Sequence, residues 1–92
     1  MDIKQVFAAC RGEFLKCQNV TKKLHARSDL CAFLILDRLV PGTADMIQGA
    51  EHDEIFLDVC LEALEKVASE EDIRDLVRCG VMIDDDGLTM FV

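Results

Sequence analysis

The residues of this chain suited to chemistry are the run Asp84, Asp85, Asp86, Gly87, the histidines His25 and His52, and the cysteines Cys10, Cys17, Cys31, Cys60 and Cys79. A calcium loop needs oxygen ligands at its first, third and fifth positions, glycine at the sixth and a glutamate at the twelfth. Placing Gly87 sixth puts Met82 first and carries the twelfth position past Val92. Calcium binding is therefore not expected, and the run reads instead as the turn of a hairpin. His52 opens the acidic run His52, Asp53, Glu54, but neither histidine stands in an H-x-x-x-H or C-x-x-C frame that would set metal ligands on one face. The cysteines are odd in number, lack that spacing, and sit among apolar residues at helical intervals, so they read as small buried hydrophobes. Glycine-rich phosphate loops, G-x-S-x-G, tryptophan and tyrosine are all absent. No enzyme activity, cofactor or metal is expected.

Charge says more than motif. The chain of 92 residues has a formal net charge of -8. Residues 1 to 27 hold six Lys or Arg against two Asp or Glu, and residues 28 to 92 hold four against sixteen. An acidic body repels phosphate backbones, which disfavours nucleic-acid binding through that part. With 51% apolar residues the chain can bury one core, so a single domain over residues 1 to 92 is expected. The sequence start has no signal-peptide pattern, and the longest apolar block, residues 30 to 36, is far short of the roughly 18 residues that span a bilayer. A cytoplasmic protein without membrane contact follows as the expectation.

The elements that must position these groups read as mostly helical. Apolar residues from 3 to 24 recur at steps of three and four, with Lys4, Arg11, Lys16, Lys22 and Lys23 opposite, which predicts a basic amphipathic helix over about residues 2 to 25. Gly12 is a point of weakness in it. Ser28 or Asp29 can cap a helix over residues 30 to 40, apolar on nearly every face, although AFLIL also suits a central strand. Pro41 and Gly42 break the chain, and Thr43 can cap a short helix through Ala44, Met46 and Ile47. The run IFLDVCLEALEKVA predicts a central helix. Ser69, followed by Glu70, Glu71 and Asp72, has the form of a helix start with a capping box, and Gly80 the form of its end. Residues 81 to 92 then read as a hairpin that closes the fold, its aspartates in solvent and Val81, Ile83, Leu88 and Phe91 partly buried. The fold class expected is mainly α (α+β): four to five helices, an acidic helical body over residues 28 to 79, and a C-terminal β-hairpin.

Three functions are compatible with this frame. The first is a non-enzymatic protein-binding module, with Asp53, Glu54, Asp58, Glu62, Glu65, Glu70, Glu71, Asp72 and Asp75 as an acidic face for a basic protein surface. In size and acidity the chain resembles small inhibitors of host defence, anti-CRISPR and anti-restriction proteins among them. That resemblance implies an inhibitor or adaptor that mimics nucleic acid and occupies a nucleic-acid-binding surface. The second is a winged helix-turn-helix regulator, which residues 52 to 92 resemble in element order. The helix it would place in the groove, SEEDIRDLVRCG, has four carboxylates against two arginines, so duplex binding would rest on Lys16, Lys22 and Lys23. The third is a homo-oligomeric subunit, a homodimer in its simplest form, paired along Ile3, Phe7, Cys10, Phe14, Cys17 and Leu24, a seam with heptad spacing.

Overall fold

Strand pairing, rather than local helical spacing, decides the middle of the chain. The computed structural model describes residues 1 to 21, 23 to 42 and 45 to 92. Strands β1 (Ile47–Glu51) and β2 (Glu54–Leu57) form one hairpin, and β3 (Val81–Ile83) and β4 (Leu88–Phe91) a second. The hairpins join through β2 and β4 into a four-stranded antiparallel sheet of order β1-β2-β4-β3. The protein is thus a small α+β fold, not the mainly helical domain with one terminal hairpin that spacing implied. The central helix expected over IFLDVCLEALEKVA is split: its first third is β2, and only α3 (Leu61–Val67) is helical. Ile47 starts a strand rather than ending a short helix, and Thr43 and Ala44, assigned to that helix, lie outside the described residues, as does Lys22.

The N-terminal helix is also shorter than its apolar spacing suggests. Helix α1 (Ile3–Ala9) is capped by the Asp2 carboxylate, which accepts from the Gln5 amide at 3.4 Å. It ends at Cys10, and short 3-10 turns follow at Arg11–Glu13 and Cys17–Asn19. Leu15 lies between them at φ 62, a left-handed conformation that no helix continues through. Its amide donates to the Val77 carbonyl at 3.2 Å, tying this segment to the body of the protein.

Helix α2 (Ser28–Leu39) resolves the choice between helix and strand at AFLIL. Arg27, not Ser28 or Asp29, occupies its cap position, and the helix is not buried all round: Cys31, Ala32, Ile35 and Leu36 face the core while Leu30 and Leu34 are exposed. Helix α4 (Glu70–Arg78) forms with the expected capping box: the Ser69 hydroxyl accepts from the Asp72 amide at 3.1 Å, and the Asp72 carboxylate accepts from the Ser69 amide at 3.0 Å. Far from merely covering the core, α4 is its centre, with Ile73, Leu76 and Val77 wholly buried. Each such side chain contributes about 1.5–3 kcal/mol of burial free energy. Phe7, Ile35, Leu36, Leu57, Leu64, Val81, Leu88 and Met90 complete the core.

Ladder register sorts the sheet into two faces. Ile55, Met90 and Val81 lie in one row toward the helices, and Phe56, Thr89 and Met82 lie in the next row on the opposite face. Met90 therefore takes the buried position on β4, and Phe91, expected to be partly buried, is 45% exposed. Gly80 links α4 to β3 at φ +98, and a Cβ there would stand 2.9 Å from a Leu15 methyl carbon and 3.3 Å from the Phe91 carbonyl oxygen. Only glycine satisfies both the turn and the close approach.

Candidate functional site

The acidic residues divide into an internal set and an external one. Internally, Arg78 gathers three carboxylates: its Nη1 donates to Asp75 at 3.0 Å and to Glu71 at 3.4 Å, and its Nη2 donates to Glu13 at 2.8 Å. Asp75 also accepts from the Thr21 amide at 3.0 Å and hydroxyl at 2.7 Å, so the segment after α1 is tied to α4 through this carboxylate. Arg74 pairs with Glu71, and Arg38 of α2 donates to Asp72 at 3.0 Å. The hydrogen bond from Arg78 holds the Glu13 carboxyl below its usual range, and Glu13 in turn raises Arg78. Burial opposes ionisation of Asp72, but the Ser69 amide and the Arg38 guanidinium outweigh it, so its carboxyl is also depressed.

These contacts correct the acidic face read from the sequence. Asp72 and Asp75 are buried and Glu71 is half-buried and paired, so the three do not present an outward surface on α4. Glu65 is half-buried and accepts from the Ile3 amide at 2.9 Å. Asp53, Asp58, Glu62 and Glu70 are exposed, and Glu54 is half-buried on β2. The proposed oligomer seam is likewise divided. Ile3, Phe7 and Cys10 are buried in the core, Phe14 packs partly against it, Cys17 is half-buried, and Leu24 is exposed on a segment outside any helix. No continuous helix carries these residues, so the heptad seam does not exist as a surface. Helix α4 buries Asp72, Ile73, Asp75, Leu76, Val77 and Arg78, which leaves Glu70, Glu71 and Arg74 on its outer side, a surface with more acid than base.

The external set lies at both ends of the sheet. At one end the β1–β2 turn carries Glu51, His52, Asp53 and Glu54, with His52 at φ 44. At the other end is the β3–β4 turn, where Asp84 acts as a structural residue: its carboxylate accepts from the Asp86 amide at 2.8 Å and the Gly87 amide at 3.0 Å. Asp86 is left in solvent, and Asp85, also exposed, stands 4.0 Å from the Lys4 amine. Between the turns runs the sheet face away from the helices, with Phe56, Met82 and Thr89 along it and the Phe14 and Phe91 rings meeting edge to face at 6.4 Å. Two depressions open on it. One, of about 270 Å³, is lined by Phe14, Asp53, Glu54, Gly80, Met82, Thr89 and Phe91. The other, of about 350 Å³, includes Gln48, Phe56, Asp84 and Asp86.

The thiols are placed for packing in three of five cases. Cys10, Cys31 and Cys79 are buried, whereas Cys17 is half-buried and Cys60 exposed, against the uniform burial expected. Burial, reinforced by neighbouring Cys31, pushes the Cys79 thiol up to about 12, so it stays protonated and unreactive near neutral pH. Among the described residues no group of three or more His, Cys, Asp or Glu side chains is placed to hold a metal ion, and no helix is long and apolar enough to cross a membrane. Comparison with known protein families, curated proteins and solved structures found no match to this chain.

Proposed function

We propose that this protein is a non-enzymatic binding module whose sheet face, rimmed by acidic turns, receives a basic protein surface. The observation that carries this reading is the asymmetry of the carboxylates: Glu71, Asp72 and Asp75 of α4 are bound by the chain's own arginines, whereas Asp53, Glu54 and Asp86 on the two turns flank aromatic surface with no ion pair among the described residues. An apolar strip with charged ends suits recognition, since the strip supplies burial and the charge steers approach and restricts partners. A nucleic-acid-binding surface on a target protein has the required sign, and occupying it would make the module an inhibitor or adaptor of the nucleic-acid-mimic kind.

The test is affinity capture from a lysate of the source organism with the wild-type chain, with an Asp53→Lys, Glu54→Lys, Asp86→Lys variant, and with a Glu62→Lys, Glu70→Lys control. A defined partner recovered by the wild type and the control, and lost from the sheet-turn variant, is the expected result. Equal recovery by all three removes the sheet face as the binding surface.

A further inference from the structure

Glu54 stands apart from every other carboxylate withdrawn from full solvent. Among the described residues, Glu13, Asp29, Glu65, Glu71, Asp72 and Asp75 are buried or half-buried and each accepts a hydrogen bond from the chain. Glu54 is half-buried and its carboxylate meets no donor among the described residues. Its cross-strand partner is Glu51, so two like charges face each other on the β1–β2 ladder, an arrangement that costs stability. On its other side Glu54 pairs with Phe91. Asp53 is its neighbour in the chain, and Asp53, Glu54, the edge-to-face Phe14 and Phe91 rings, Met82 and Thr89 line the depression of about 270 Å³. The Thr89 hydroxyl is unpaired among the described residues, although the residue is only 8% exposed.

We propose that this depression is a slot for an arginine side chain of the protein partner. The inference rests on the sheet-face reading and narrows it to one anchoring residue. A guanidinium is flat, always charged, and carries donors in a fork that two adjacent carboxylates can accept, while its plane stacks on an aromatic ring. The methylene stem would lie along Met82, and the Thr89 hydroxyl offers a further acceptor. Gly80 keeps the floor open, since any side chain there would meet Leu15 and the Phe91 backbone. The protein uses the same chemistry internally, where Arg38 meets Asp72 and Arg78 meets Asp75. Lysine, a compact and strongly hydrated point charge, has neither the fork nor the stacking plane.

The test is a backbone amide NMR titration of the full chain with the peptides Gly-Gly-Arg-Gly-Gly, Gly-Gly-Lys-Gly-Gly and the citrulline analogue, which keeps the shape of arginine without its charge. Shifts concentrated at Glu54, Gly80, Thr89 and Phe91, strongest with arginine, are expected. Glu54→Gln should weaken arginine binding about tenfold, and Phe91→Leu about two- to fivefold. Equal response to lysine and arginine, shifts spread over Glu62 and Glu70, or an unchanged affinity in Glu54→Gln overturns the slot. The two readings separate in the capture experiment: a partner lost on turn charge reversal but held unchanged by Glu54→Gln and Phe91→Leu eliminates the slot and keeps the sheet-face module.

Discussion

On α4, Glu71, Asp72 and Asp75 pair with Arg74, Arg38 and Arg78, whereas on the β1–β2 turn Glu51 and Glu54 oppose each other with no ion pair to either among the described residues. Both regions are acidic in sequence, but most of the first is neutralised within the chain, whereas the second is not paired among the described residues. Internal carboxylates hold the chain to itself, and their removal should be felt as lost stability. Glu51 and Glu54, facing each other across the ladder, are mildly unfavourable for folding, so removing Glu54 should be felt in binding alone. Net charge therefore reports poorly on the charge a partner meets.

The contrast breaks most sharply at Arg78. Arg78→Ala would remove the guanidinium shared by Asp75, Glu71 and Glu13 while leaving Asp75, which is 1% exposed, its Thr21 donors, and is expected to lower unfolding free energy by about 1.5–3 kcal/mol in urea denaturation. A loss under about 1 kcal/mol would place the network with ordinary surface pairs instead.

An intermediate effect is expected at the α4 start. Ser69→Ala removes one acceptor of the capping box and should cost about 1 kcal/mol. Acid should reach the same region. Glu13 and Asp72 have folded pKa values below their ordinary 4.5 and 3.8, so the unfolded chain binds protons more readily. Their contribution is complete above those ordinary values and is lost as pH falls through the lower folded ones. Melting temperature followed from pH 7 to pH 3 should drop more steeply for the wild type than for Asp72→Asn.

The smallest effect belongs to the turn. Glu54→Gln should leave stability unchanged or raise it by about 0.2–0.5 kcal/mol through relief of the Glu51 repulsion. A clear loss of stability would show that Glu54 serves the fold, and the distinction between the regions would collapse.

What could be read from the sequence follows from which signals are local. The capping box at Ser69 and Asp72, the closing glycine at Gly80 and the turn at residues 84 to 87 depend on chemistry within a few residues, and each is found where expected. Strand β2 is four residues long, too short to show alternation, and its apolar run merges with that of α3 into one helical-looking pattern. Its pairing with β4, more than thirty residues away in the chain, decides the outcome. The heptad spacing at Ile3, Cys10 and Cys17 is equally satisfied by a short helix followed by 3-10 turns, and the left-handed Leu15 has no marker in its residue type. The site was partly visible. Asp53 and Glu54 stood out as acidic, but Phe14 and Phe91 meet them only through the tertiary fold; Asp75 and Arg78 pair at an i,i+3 spacing readable along α4, whereas the pairing of Asp72 with Arg38 of α2 had no sequence signal.

The strand order also governs assembly during translation. β4 lies between β2 and β3, yet it follows every other element in the chain, so the first hairpin has only itself to pair with until residue 91 has been made. Until β4 has been made, half of the sheet keeps an unpaired edge, and the face proposed for the partner cannot form.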